Sequence, residues 1–168
     1  IEWEEGKHTK EIILSAYEII KSPGIPETSS IIKDSINHNI PVISEIEFAY
    51  RYTNAKIISI TGTNGKTTTS LLIGHILNKS GYNVLVTGNI GNSFAYSIAE
   101  NEYDYIVLEL SSFQLDGIKE FRSNISIILN ISADHLDRYD YNFQNYIKSK
   151  FRITQNQESE DFLIYNSD

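Results

Sequence analysis

The stretch Lys56-Ile-Ile-Ser-Ile60, followed by Thr61-Gly-Thr-Asn-Gly-Lys-Thr-Thr-Thr-Ser70, constrains this chain more than any other. An apolar run of strand length enters a glycine-containing loop with a lysine, and hydroxyl residues then open a helix. Such a loop turns backbone N–H groups toward an anion, and the helix N-terminus adds its positive dipole end. Lys66 supplies a point charge for terminal phosphates, and Thr67 a hydroxyl oxygen for a magnesium ion. The usual phosphate-loop spacing puts a glycine at position 60. Here it is Ile60, so the match is the shorter Gly62-x-x-Gly65-Lys66-Thr67. Gly62 and Gly65 could simply make a turn before a helix. Gly-Lys-Thr-Thr at the mouth of a strand–loop–helix is more specific than that, and the expectation is a nucleoside triphosphate site.

With 168 residues the chain can bury one full core, or one core and part of another. Its 14 basic and 22 acidic residues give a formal charge of 14 − 22 = −8. No Lys/Arg-rich run stands out, so a nucleic-acid surface is not expected. Cysteine is absent, which excludes disulfides and zinc–thiolate sites and suits a cytoplasmic protein. No long apolar span or signal-peptide pattern indicates membrane insertion or export. Methionine is absent as well, and a chain that starts at Ile1 without one is expected to be less than a complete gene product.

Residues 16–20 read as a short strand and Lys21-Ser-Pro-Gly-Ile-Pro26 as its turn. Ile31, Ile32 and Ile36 have helical spacing within residues 28–38, with Thr28 or Ser29 as a possible cap. Residues 41–44 form another short strand, and Ser44 with Glu47 three residues on predicts a capping box for a helix to about Tyr52. This first stretch has too few strands for a sheet of its own and reads as the tail of a larger domain. From Lys56 the alternation is regular. Strands near 56–60, 82–87, 103–110, 125–131 and 161–165 alternate with helices near 67–79, 92–100 and 142–154. In the first of these helices Leu71, Leu72, His75 and Ile76 share a face. The fold class expected is α/β, a parallel sheet with helices on both faces.

Ligands in such sheets sit outside the carboxyl ends of the strands. Four polar clusters fall there: the phosphate loop, Gly88 to Gly91, Glu109 to Gln114, and Asp134 to Arg138. Glu109 interrupts an apolar strand near its end, where a carboxylate costs free energy unless it is paired or binds a cation. Magnesium is the better reading there than an exposed strand end. Ser111 and Ser112 could cap the next turn or touch phosphate oxygens. Taken alone, His135 reads as an ordinary loop residue, Gly88-Asn89-Ile90-Gly91 as a tight turn, and Lys148 and Lys150 as solvated charges.

Together these segments resemble the Mur ligases of peptidoglycan synthesis. The resemblance rests on Lys21-Ser-Pro-Gly-Ile-Pro26, Gly62-Thr-Asn-Gly-Lys-Thr-Thr68, Gly88-Asn-Ile-Gly91, Glu109-Leu-Ser-Ser-Phe-Gln-Leu115, Asn130-Ile-Ser-Ala-Asp-His-Leu-Asp-Arg138 and Tyr146-Ile-Lys-Ser-Lys-Phe-Arg-Ile153. The third and fourth favour the member that adds D-glutamate to UDP-N-acetylmuramoyl-L-alanine. Folylpolyglutamate synthase, the diaminopimelate- or lysine-adding ligase, and a non-catalytic nucleotide-binding module are the alternatives.

The resemblance implies that residues 1–44 end a Rossmann-like N-terminal domain that binds the UDP-sugar, and that residues 45–168 are the first part of a central ATP-binding domain. It implies ADP-forming amide ligation through an acyl phosphate, by an intact enzyme that is monomeric and cytoplasmic. Residues 1–168 alone would then bind phosphate ligands weakly and not ligate. Gly62, Thr63, Asn64, Gly65, Lys66, Thr67 and Thr68 would bind ATP. Ser22, Gly24, Asn89, Ser111 and His135 would contact substrate. Thr67, Glu109, His135 and a carbamylated Lys150 would serve two Mg2+ sites, and Lys66, Glu109, His135 and Lys150 would be catalytic. The Tyr-x-x-x-Lys-x-Arg-Ile pattern selects Lys150 rather than Lys148 for the carbamate, and carbamylation requires an amine whose pKa its site has lowered.

Overall fold

The computed structural model describes residues 3–167. Among the described residues seven strands form two sheets, both parallel. The smaller pairs β1 (Ile19–Lys21) with β2 (Val42–Ser44) around α2 (Ser30–Asn37). The larger comprises β3 (Lys56–Thr61), β4 (Val84–Gly88), β5 (Tyr105–Glu109), β6 (Ile125–Ile128) and β7 (Phe162–Tyr165), in the order β4-β5-β3-β6-β7. The phosphate-loop strand β3 is therefore central. The next strand in sequence, β4, lies two places to one side, and β6 lies on the other.

Side chains alternate across a strand, so β3 and β5 feed two cores. Ile57, Ile106 and Leu108 pack with α3 (Glu45–Tyr50) and α5 (Phe94–Glu100) through Ile46, Ala49 and Phe94. Ile58, Ile60 and Val107 on the opposite face pack with Ile73 and Leu77 of α4 (Lys66–Lys79). Helices thus cover both faces, as the run of apolar residues in β5 predicts.

The face of α4 that carries Leu71, Leu72, His75 and Ile76 is not the one packed on the sheet. Leu71, Leu72 and Ile76 are 54%, 55% and 53% exposed, while Ser70 and Gly74 are the buried positions. Helical spacing admits either stripe, and small residues decide it. A Cβ at Gly74 would lie 2.2 Å from Val86 Cγ2, so only the glycine side can seat the helix this close to β4.

Other boundaries shift. The strand expected at 16–20 is β1, Ile19–Lys21, and it is preceded by an unexpected helix α1 (Lys10–Leu14). The turn after β5 is a helix, α6 (Ser112–Asp116), and the last helix α7 (Phe143–Phe151) continues only as a 3-10 turn, Arg152–Thr154.

The capping box at α3 is half formed. Ser44 Oγ accepts the Glu47 N–H at 3.1 Å, but the Glu47 carboxylate does not return to Ser44. It accepts the backbone N–H groups of Lys119, Glu120 and Phe121 at 2.7, 3.0 and 2.9 Å, fully buried. The Ser44 N–H goes instead to Gly117 O at 3.0 Å. Both contacts fasten α3 to the segment between α6 and β6.

Candidate functional site

Register brings the polar residues together. Glu109 is paired with Ile60 on one side and Gly88 on the other, at the carboxyl ends of β5, β3 and β4. Its carboxylate is 1% exposed and fully engaged: Thr67 Oγ1 donates to Oε2 at 2.7 Å, and Asn89 Nδ2 donates to Oε1 at 2.9 Å. The exposed strand end is therefore set aside. Gly88 makes this possible, with φ +109° and a position where a Cβ would lie 2.3 Å from Glu109 O. The Asn89 N–H donates to that same carbonyl at 2.8 Å. The Gly88–Gly91 turn is thus an Asn-presenting turn, and its first glycine is required by close approach.

Gly65, left-handed at φ +84°, turns the loop into α4. Lys66 Nζ folds back over the loop and donates to Gly62 O and Thr63 O, each at 2.9 Å. Among the described residues the N–H groups of Lys66, Thr67 and Thr68 donate no hydrogen bond, as expected for a first helical turn. They remain for an anion. Those of Thr63 and Asn64 do not: they donate to Asn130 O and Asn130 Oδ1, at 2.9 Å each.

Lys150 of α7 is 2% exposed, and its Nζ donates to Gly62 O at 2.9 Å, while the exposed Lys148 lines a different cavity. Burial, with the charge of Lys66 beside it, lowers the Lys150 ammonium to about 8, opposed by Asp134. One helical turn back, the Tyr146 ring lies 4.6 Å from Lys150 Nζ, and its hydroxyl is 3.4 Å from Thr63 Oγ1.

A cavity of about 150 Å³ joins the four clusters and α7: Thr63, Lys66, Asn89, Ser111, His135 and Lys150 all line it. Ser111 resolves toward capping, since its Oγ accepts the Gln114 N–H and Gln114 Oε1 accepts the Ser111 N–H. His135 is exposed and left-handed at φ +49°, with Nε2 3.5 Å from Asp134 Oδ2 and its ring 5.5 Å from Phe113. It shares the cavity, but the side chains bonded to Glu109 are those of Thr67 and Asn89. Ser22 and Gly24 are exposed, in a turn whose neighbours Lys21, Pro23 and Ile25 line a separate cavity of about 560 Å³.

The donor set fits a divalent cation of the magnesium type. A buried carboxylate and a threonine hydroxyl at a phosphate loop are hard oxygen ligands. No three His, Asp or Glu side chains cluster there among the described residues. No described helix is long and apolar enough to cross a membrane.

The model of the Mur ligase middle domain matches residues 60–168. The chain belongs to the Mur ligase middle-domain family. The UDP-N-acetylmuramoylalanine--D-glutamate ligase of Bacteroides fragilis is 59% identical over all of this chain and 38% of its own length. That of Bacteroides thetaiotaomicron is 57% identical over the same shares, and that of Porphyromonas gingivalis 54% identical over all of the chain and 37% of its length. The chain therefore spans well under half of these relatives. Among solved structures, the MurF ligase of Thermotoga maritima in complex with ADP superposes with TM-score 0.58 at 16% identity, covering 93% of this chain and 47% of that one. A pseudomurein peptide ligase type C from Methanothermus fervidus gives 0.53 at 26% identity, covering 94% and 33%.

Proposed function

We propose that this chain forms the ATP-binding part of a ligase that adds D-glutamate to UDP-N-acetylmuramoyl-L-alanine, with ADP and phosphate released. The observation that carries the reading is the buried Glu109 carboxylate, shared by the Thr67 hydroxyl of the phosphate loop and the Asn89 amide of the next strand end. It joins a triphosphate site to a substrate-facing turn. The identity to D-glutamate ligases over the whole chain supports the choice of amino acid. Residues 1–44 belong to a preceding UDP-sugar domain and residues 45–168 to the central one, with Ser22 and Gly24 on the substrate side. The enzyme acts as a monomer in the cytoplasm.

In this reading the substrate carboxylate attacks the γ-phosphorus of ATP and ADP leaves. The amine of D-glutamate adds to the resulting acyl phosphate, and the tetrahedral intermediate collapses to an amide and inorganic phosphate. Such transfer needs alignment and neutralised charge more than covalent help. Lys66 moves from its own loop carbonyls to the terminal phosphates, and the N–H groups of Lys66, Thr67 and Thr68 hold phosphate oxygens. Gly62, Thr63, Asn64 and Gly65 shape the loop. Thr67 and Glu109 would hold one magnesium, and Glu109, His135 and a carbamylated Lys150 would hold a second; when bound, the metal would neutralise charge on the phosphates. Lys150 would first release a proton from its ammonium, and the neutral amine would then add to CO2 and release a second, so that a buried cation would become an anionic ligand. Asn89 and His135 orient the substrate, with Ser111 holding the wall of the cavity.

ADP release by the native polypeptide that carries these residues, given ATP, magnesium, UDP-N-acetylmuramoyl-L-alanine and D-glutamate, tests this. Release should require both substrates, and diaminopimelate, lysine or a folate substrate should not replace them. Equal turnover with any of those would reassign the enzyme.

A further inference from the structure

The side chain of Asn130, just past β6, makes both its hydrogen bonds to one residue. Its Oδ1 accepts the Asn64 N–H and its Nδ2 donates to Asn64 O, each at 2.9 Å. Its own carbonyl accepts the Thr63 N–H at 2.9 Å. Two residues on, the Ser132 N–H donates to Thr63 Oγ1 at 3.0 Å and Ser132 O accepts from that hydroxyl at 3.1 Å. Beneath them a Cβ at Gly62 would lie 3.1 Å from Leu129 Cβ. Residues 62–64 are therefore laid along the end of β6 as if they were one more strand pair.

Asn130 is exposed, so water could satisfy its amide equally well, and the bonds add little to global stability. Their effect is local. They commit the Thr63 and Asn64 N–H groups away from any ligand and fix where the loop turns at Gly65, leaving the first-turn donors of α4 and the Lys66 stem in a set arrangement. A loop free to move would lose that order and recover it only on binding, at a cost in affinity.

We propose that Asn130 is a positioning residue for the triphosphate, holding the phosphate loop in its binding shape without touching the nucleotide. This rests on the phosphate-loop reading above. In the native polypeptide, Asn130→Ala should weaken ATP binding and raise its KM about tenfold, the effect of losing two modest hydrogen bonds. Its kcat at saturating ATP should stay within about twofold, since the chemistry is untouched. The KM for the UDP-sugar and the melting temperature should not change, and amide exchange at Thr63 and Asn64 should quicken. Wild-type ATP affinity in Asn130→Ala overturns the proposal. So does equal weakening of both substrates with a lowered melting temperature, which would make Asn130 merely structural. If the unsubstituted protein binds no ATP, the phosphate-loop reading falls, and the proposal with it.

Discussion

Lys66 and Lys150, 84 residues apart by their numbering, donate to the same acceptor: each Nζ lies 2.9 Å from Gly62 O. Two ammonium groups on one carbonyl repel, and the buried partner yields. Lys150 is lowered to about 8, first by burial and then by Lys66. Lysines perturbed by burial and a like charge cluster at functional sites, which supports the role proposed for Lys150.

Lys150→Ala should abolish ligase activity, and short-chain carboxylates that fill the vacated anion position should restore part of it. Lys148→Ala, on an exposed position of the same helix, should behave like wild type. Equal damage from both, or no rescue, would remove the carbamate from the account.

The shift of Lys150 also makes a stability prediction. Its folded pKa, about 8, lies below the ordinary 10.5, so between those values the unfolded chain holds a proton that the folded chain has released. Stability must then rise with pH across that window, and the penalty is fully present below about 8. Denaturant titrations at pH 7 and pH 9.5 should show wild type gaining on Lys150→Met. A constant difference would mean that Lys150 is not desolvated in solution.

Glu109→Gln should lower turnover at least about 10²-fold, as loss of a preorganised electrostatic element does. His135→Ala should do the same through the shared cavity. Gly88→Ala should lose activity by a different route, since its Cβ would displace the Glu109 backbone and carry Asn89 off the carboxylate. Near-normal activity of Glu109→Gln at low magnesium would show that this carboxylate is not a metal ligand.

Glu47 offers a test of the scaffold alone. Glu47→Ala leaves the N–H groups of Lys119, Glu120 and Phe121 without their acceptor and should cost about 2–4 kcal/mol in denaturant unfolding. A change below about 1 kcal/mol would mean that water replaces the carboxylate.

Much of this was legible in the sequence because the parallel sheet and its site are local patterns. Strand, glycine loop, lysine and helix lie within residues 56–79, and each polar cluster closes an apolar strand. What stayed hidden depends on distant pairs. Asn130 reads only as the polar end of a strand expected near 125–131 until β6 is placed beside β3, and an asparagine closing an apolar strand next to a phosphate-loop strand is the signal for its role. Glu47 looks like a capping partner of Ser44 because its true acceptor role spans more than 70 residues. The packed side of α4 carries Ile73 and Leu77 beside Ser70 and Gly74, while Leu71, Leu72 and Ile76 face outward; an apolar pattern admits either stripe, and the small residues set the distance to the sheet. The burial of Lys150 is invisible in composition, which reads it as a solvated charge; the family resemblance implies only an amine whose pKa its site has lowered.

The most direct test of the central claim is calorimetric titration of ATP into the native polypeptide and its Lys66→Ala variant. The account predicts that the variant loses measurable ATP binding while its melting temperature stays close to wild type, because Lys66 is half-buried and, among the described residues, its ammonium is bonded to its own loop. Unchanged ATP affinity in Lys66→Ala would contradict it.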